Sequence, residues 1–152
     1  MSLITSQLYL GDAYDAQNMD FIRTKNITLI VNCAKEVPNY LSYKPNLKYI
    51  RLELDDLPSE NIQPALELAA NEIINTIYNK ENVFVHCAAG ISRSASVVIY
   101  TLIKLYNWDY DKAYDYVKTL RPIINPNYGF IYQVRQMQNE YFKILKNYRL
   151  LY

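Results

Sequence analysis

Val83-Phe84-Val85-His86-Cys87-Ala88-Ala89-Gly90-Ile91-Ser92-Arg93-Ser94 is the stretch from which the rest of the chain is best read. Val83 to Val85 is a short apolar run of the β-branched and aromatic residues that buried strands favour, and it gives way to a cysteine, two alanines and a glycine. From Ser96 the chain is apolar again, now at helical spacing through Val98, Ile99 and Leu102. A loop that ends where a helix begins has backbone N–H groups without intrahelical partners, next to the positive end of the helix dipole. The stretch therefore reads as a cradle for an oxyanion with a thiol at its base.

Upstream, Leu8-Tyr9-Leu10 is a short apolar run closed by Gly11, and Asp12 is placed to cap a helix carrying Ala13, Ala16, Met19, Phe21 and Ile22. Ile27 to Cys33 is β-branched and uninterrupted, as a strand buried on both faces requires. Val37 to Pro45 reads as a loop. Tyr49 to Leu54 alternates, with Ile50, Leu52 and Leu54 on one face and Arg51 and Glu53 on the other. Asp55 to Glu60 is a further loop, after which Asn61 can cap a helix with Pro64 in its first turn and an apolar face through Leu66, Ala69, Ala70, Ile73, Ile74 and Ile77. Beyond the cysteine loop, helices are expected to about Tyr106, from Asp109 to Leu120, and from Asn125-Pro126 to about Tyr148. Strands alternating with helices predict an α/β fold, a single central, mostly parallel sheet of about four to five strands flanked by helices.

The length of 152 residues suits one domain, expected to span residues 1–152. A net charge of +1 supplies no reason for a nucleic-acid or membrane-surface partner, so any affinity for phosphate must be local. Two cysteines and one histidine provide neither a disulfide framework nor a zinc site, and no metal or other cofactor is expected. No basic segment followed by a long apolar run opens the chain, so the expected setting is a reducing one, cytoplasmic with the nucleus also open.

His86, Cys87, Arg93 and Ser94 meet a His-Cys-x5-Arg-Ser pattern in full, and with the filling Ala88-Ala89-Gly90-Ile91-Ser92 the chain resembles the small, stand-alone dual-specificity phosphatases of the protein tyrosine phosphatase superfamily. The chemistry agrees with that resemblance. Thiolate is the nucleophilic form of cysteine, and a helix N-terminus together with a neighbouring cation favours it. The Arg93 guanidinium can grip two phosphoryl oxygens while the loop amides of residues 88–93 take the rest. Ser94 is placed to donate a hydrogen bond to the sulfur as a phosphocysteine breaks down, and Gly90 permits tight curvature. The resemblance implies that His86 orients the loop and transfers no proton.

A leaving oxygen needs a proton, and Asp55 and Asp56 are the candidates. Strand alternation favours Asp56, which continues the face of Ile50, Leu52 and Leu54 while Asp55 points away. The resemblance agrees, since the family's acid follows a strand of this kind. It also implies that the Asn127 side chain buttresses the phosphate loop, whereas Asn125 with Pro126 accounts for the start of the helix. Arg121 stands either at the pocket rim, attracting a second anion, or at a helix end complementing the dipole. Tyr40, Leu41 and Tyr128 are candidate pocket walls, although in a chain with 16 tyrosines any one of them serves equally well as core or surface. Cys33 ends a strand expected beside the catalytic one; it is either an inert core cysteine or, as in some superfamily members, a redox partner for the nucleophile.

The expected activity is hydrolysis of phosphotyrosine and phosphoserine or phosphothreonine in proteins, through a phosphocysteine on Cys87 with Asp56 as acid and then base. Phosphorylated proteins are the expected partners; an oligomeric state is not legible. A phosphoinositide phosphatase would call for lysines in the loop, and an RNA 5′-phosphatase for a basic groove. A non-catalytic phosphopeptide binder would normally lack Cys87, and a rhodanese-like sulfur transferase would leave Asp56 unexplained.

Overall fold

The structure is a computed structural model that describes residues 1–150; Leu151 and Tyr152, at the end of the expected 1–152 domain, lie outside the described residues. Five strands, β1 (Ser2–Thr5), β2 (Leu8–Gly11), β3 (Ile27–Ala34), β4 (Lys48–Leu54) and β5 (Asn82–His86), form one sheet in the order β1-β2-β5-β3-β4. β2, β5, β3 and β4 run parallel, and only the β1–β2 pair is antiparallel. The helices are α1 (Met19–Thr24), α2 (Gln63–Tyr78), α3 (Arg93–Tyr106), α4 (Tyr110–Leu120) and α5 (Tyr128–Leu150), as the alternating pattern of strands and helices predicts.

β5 occupies the middle of the sheet because its residues can be buried on both faces. Val83 and Val85 join Leu29, Val31 and the apolar faces of α2, α3, α4 and α5, while Phe84 joins Tyr9, Ile30 and the α1 residues Phe21 and Ile22 on the opposite side. Phe21 meets Phe84 edge-on at 5.1 Å between ring centres. The C-terminal end of β5 thus opens at the centre of the parallel sheet's carboxyl edge, with α3 starting directly behind it. That edge is where open α/β sheets carry their sites.

Several local expectations are corrected. Ser2–Thr5 carries no strand signal of its own, yet its main chain pairs along β2. Asp12 caps no long helix: its carboxylate accepts from the Asp15 N–H at 2.9 Å, closing a turn before one turn of 3-10 helix, and Asn18 caps α1 by accepting from Phe21 N–H at 3.1 Å. Asn61 lies one residue ahead of the Ile62 cap of α2, although its side-chain Oδ1 accepts from Gln63 N–H at 3.3 Å. α5 starts at Tyr128 and not at Asn125-Pro126, because Asn127 Oδ1 accepts from Phe130 N–H at 2.9 Å and makes Asn127 the cap.

Candidate active site

Residues 87–92 cross from β5 to α3, and every main-chain carbonyl in that loop is accounted for. The Cys87 oxygen accepts from His86 Nδ1 at 3.1 Å and the Ala88 oxygen from Ala13 N–H at 3.0 Å. Arg121 donates through Nε to the Gly90 oxygen at 2.9 Å and through Nη2 to the Ala89 oxygen at 3.4 Å. The Ile91 oxygen accepts from Asn125 N–H at 2.8 Å, and the Ser92 oxygen from Ser96 N–H at 2.9 Å and Ser96 Oγ at 2.8 Å. Its carbonyls are thus held by neighbouring residues, and the Gly90 N–H turns to the sulfur, donating to Cys87 Sγ at 3.2 Å. Successive amides facing one concavity form an anion nest. Gly90 makes the curve possible, with φ of 68° and so little room that a Cβ there would stand 2.6 Å from the Gly11 oxygen.

Arg121 is therefore neither a rim cation nor a mere dipole partner. It is buried at the C-terminal end of α4 and braces the back of the loop, with a further bond from Nη1 to Ser2 Oγ at 3.2 Å. His86 is buried and stacks on Phe84 at 5.4 Å between ring centres. Since a carbonyl can only accept, the Nδ1 atom carries the proton that reaches Cys87 O. Burial lowers the pKa of His86, outweighing the pull of that carbonyl and of Asp12 and Asp15, so the ring acts as a neutral tie.

Cys87 Sγ and Ser94 Oγ lie 3.1 Å apart, so the hydroxyl can donate to a thiolate. Arg93, at the first position of α3, is almost buried. Its Nη1 reaches Glu36 Oε1 at 2.5 Å and the Leu54 oxygen at 2.9 Å, and its Nη2 reaches Glu36 Oε2 at 2.8 Å. Nε is buried with no hydrogen-bond partner among the described residues. One edge of the guanidinium is thus fixed by protein and another donor is left over, as suits a fork that must meet an oxyanion. The hydrogen bond to Glu36 raises the Arg93 pKa against the opposing effect of burial, and the charges of Cys87 and Asp56 add to it. The same bond holds the Glu36 carboxyl down at about 2, so the pair persists from neutral pH until the solution approaches that acidity.

Glu36 has no place in the sequence reading, although a signal exists. β3 pairs with β5 in parallel register, Asn32 opposite His86, so the residues that follow β3 must reach the same edge as the cysteine loop.

Asp56 sits in the loop after β4 with its carboxylate exposed, and Asn127 Nδ2 donates to its Oδ1 at 2.9 Å. Alternation is not what places it. Glu53 has φ of 53° and the β3–β4 register shifts beside it, so the strand's inside–outside rule stops there. Asp55 turns away, its carboxylate 3.9 Å from Lys35 Nζ. The Asn127 side chain consequently holds Asp56 and not the phosphate loop; it is the Asn127 main-chain N–H that reaches the loop, donating to Ser92 Oγ at 3.0 Å. Leu41 is a core residue beside Tyr9 and Phe21, not a pocket wall, Tyr40 packs half-buried next to it, and Tyr128 is largely exposed.

Cys33 is fully buried, and the Asn32–His86 pairing sets it next to Cys87 on the same face of neighbouring strands. Burial pushes its thiol well above the ordinary range, Cys87 adds to the effect and Arg93 opposes it. A groove of about 760 Å³ lies elsewhere, between α2, α3 and α5, where Glu67 already accepts from Tyr100 and Lys104.

Residues 8–140 match the family described as dual specificity phosphatase, catalytic domain. The chain belongs to that family. It is 37% identical over 139 residues to human dual specificity protein phosphatase 14, an alignment covering 91% of this chain and 69% of that protein. Among solved structures it superposes on DUSP15 with a TM-score of 0.85 at 30% identity, covering 91% of this chain and 86% of the other. It superposes equally well, with a TM-score of 0.87 at 29% identity, on the human tyrosine phosphatase-like serine/threonine/tyrosine-interacting protein, covering 93% and 97% of the two chains. The dual-specificity phosphatases are cysteine-dependent phosphoric monoester hydrolases, so this chain is a protein phosphatase with phosphorylated proteins as its substrate class.

Proposed function

We propose that this phosphatase hydrolyses both phosphotyrosine and phosphoserine or phosphothreonine in proteins through a phosphocysteine on Cys87. The observation that carries the proposal is the complete outward pairing of the loop carbonyls, which leaves the loop's amides and the free Arg93 Nε for a phosphoryl group above the sulfur. In the first step the Cys87 sulfur bonds to phosphorus, the bond to the leaving oxygen breaks, and Asp56 gives that oxygen its proton. In the second step Asp56 takes a proton from water, the water oxygen bonds to phosphorus, and the sulfur leaves under a hydrogen bond from Ser94. The neutral filling of the loop, Ala88, Ala89, Ile91 and Ser92, favours a single phosphoester over a polyanionic phosphoinositide or a 5′-phosphorylated RNA.

Turnover of a phosphotyrosyl peptide, a phosphothreonyl peptide, a phosphoinositide and a 5′-phosphorylated RNA by one preparation tests the substrate class. Both peptides are expected to be dephosphorylated in preference to the other two. Preference for the inositide or the RNA would contradict the reading.

Of the two readings of Cys33, inert core cysteine or redox partner, we propose for test the second, in which it is a resolving thiol for the same nucleophile. Parallel strands run about 4.8 Å apart, inside the roughly 4.4–6.8 Å window of Cα separations that a disulfide spans. Hydrogen peroxide takes two electrons from the Cys87 thiolate to give a sulfenic acid; the Cys33 sulfur then displaces its hydroxyl, released as water, and the disulfide forms. After peroxide treatment the wild-type chain is expected to lose the mass of two hydrogens, and Cys33→Ser to show none of that loss. Sulfinic acid on Cys87 of the wild type under the same treatment would remove the idea.

A further inference from the structure

The loop that carries Asp56 has no regular structure from Asp55 to Ile62, yet it is tied along one side of α5. Asn127 Nδ2 donates to Asp56 itself. Two residues further along, Gly129 lies so close to the loop that a Cβ would fall 2.1 Å from the Pro58 oxygen and 2.6 Å from Pro58 Cα, so only glycine lets the helix and the loop meet. One turn beyond, the half-buried Gln133 uses both ends of its amide on the loop's main chain. Its Nε2 donates to the Glu60 oxygen at 2.8 Å, and its Oε1 accepts from Ile62 N–H at 2.9 Å. No side chain of the loop caps α2 at Ile62, so Gln133 also satisfies an amide that the helix start leaves open.

Within the loop, Glu60 folds back, its carboxylate accepting from Asp55 N–H at 3.1 Å and its N–H donating to the Leu57 oxygen at 3.0 Å. The segment is therefore a closed ring that can tilt as one piece unless an outside group holds its far end. Gln133 is that group. Meanwhile the approach to α5 is bonded to the phosphate loop, through Asn125 N–H to the Ile91 oxygen and Asn127 N–H to Ser92 Oγ. One helix end thus carries the nucleophile loop on one side and the acid loop on the other.

We infer that Gln133 is a positioning residue for the proton donor: its amide fixes the ring at Glu60 and Ile62, and through the ring the distance between Asp56 and the leaving oxygen. The inference rests on Asp56 being the acid. A group displaced by about 1 Å from its working geometry can cost as much as 10²-fold in rate. The loss should fall only on steps that need a proton delivered.

Gln133→Met, similar in length but without the amide, is expected to lower kcat on a phosphothreonyl peptide by about 10–10²-fold. It should leave turnover of dinitrophenyl phosphate, whose leaving group needs no proton, and the affinity for tungstate near the wild-type values. In an Asp56→Asn background the same substitution should cost nothing further. Equal losses on the two substrates, weaker tungstate binding, or full additivity with Asp56→Asn would overturn the inference and mark Gln133 as a general fold contact. Should Gln133→Met not fold, Gln133→Glu, which loses the donor to Glu60 but keeps the acceptor for Ile62, serves for the same comparison. If Asp56→Asn alone slowed both substrates equally, Asp56 would not be the acid and the inference would fall with it; a leaving-group effect in Asp56→Asn without one at Gln133 would sink the inference alone.

Discussion

Cys87→Ser is expected to lower turnover of an aryl phosphate by on the order of 10⁴–10⁶-fold while tungstate or phosphate still binds. The two properties separate because they come from different atoms. Binding is the work of the amides of residues 88–93 and of Arg93, and the carbonyl bonds that shape the loop do not depend on the sulfur: the Cys87, Ala88, Gly90 and Ile91 carbonyls are held by His86, Ala13, Arg121 and Asn125. Bond formation to phosphorus is the work of the sulfur alone. Serine, nearly the same size, fits beside Ser94 and Gly90 but is a far weaker nucleophile at neutral pH, so a folded, ligand-binding and inert protein is the expected product. Substantial turnover by Cys87→Ser, or loss of oxyanion binding in a folded variant, would contradict the division of roles.

Asp56→Asn is the second large effect. A serine or threonine leaving group departs as a poor alkoxide unless it is protonated, and removing a positioned acid typically costs on the order of 10²–10⁴-fold. The cost should shrink as the leaving group becomes more acidic, from a phosphothreonyl peptide through phosphotyrosyl peptide to dinitrophenyl phosphate. Asp55→Asn is expected to change little, because that carboxylate faces Lys35 on the other side of the loop. A larger loss at Asp55 than at Asp56 would reverse the assignment. Asparagine keeps the oxygen that accepts the 2.9 Å bond from Asn127, so Asp56→Asn takes away the transferable proton but keeps a side chain of the same shape.

How far the sequence led differs between contiguous and distant features. The nucleophile loop was legible because strand, cysteine, glycine, arginine and helix follow one another within twelve residues, and local chemistry alone makes them a cradle. The parallel core was legible in Ile27 to Cys33 and Val83 to Val85, where burial on both faces leaves a largely apolar, β-branched run broken only by Thr28 and Asn32. β1 was not, because an edge strand is held by main-chain pairing that Ser2, Leu3, Ile4 and Thr5 do not advertise. The alternation argument that favoured Asp56 over Asp55 does not hold: alternation ends at Glu53, and a bond from Asn127 on the approach to α5 is what holds the Asp56 carboxylate.

The supports of the site were the least legible part. Arg121, Gln133 and the main chain of Asn125 act on atoms between 31 and 119 positions away, mostly backbone carbonyls and amides, whose positions no local pattern encodes. Glu36 is a plain charge next to Lys35 in the sequence, and only the parallel register of β3 against β5 turns it into the fixed partner of Arg93. Asn127 does meet the phosphate loop, but through its main-chain N–H and not through the side chain expected to buttress it, which holds Asp56 instead.

The central claim is that phosphorus passes through the Cys87 sulfur. Quenching the wild-type enzyme during turnover and locating the phosphoryl group by peptide mass spectrometry tests it most directly. The expected result is phosphate on the peptide that carries Cys87, formed as quickly as the first equivalent of leaving group appears and missing from Cys87→Ser. Steady turnover with the phosphoryl group on another residue, or with no phosphoenzyme and no burst of leaving group, would contradict the mechanism.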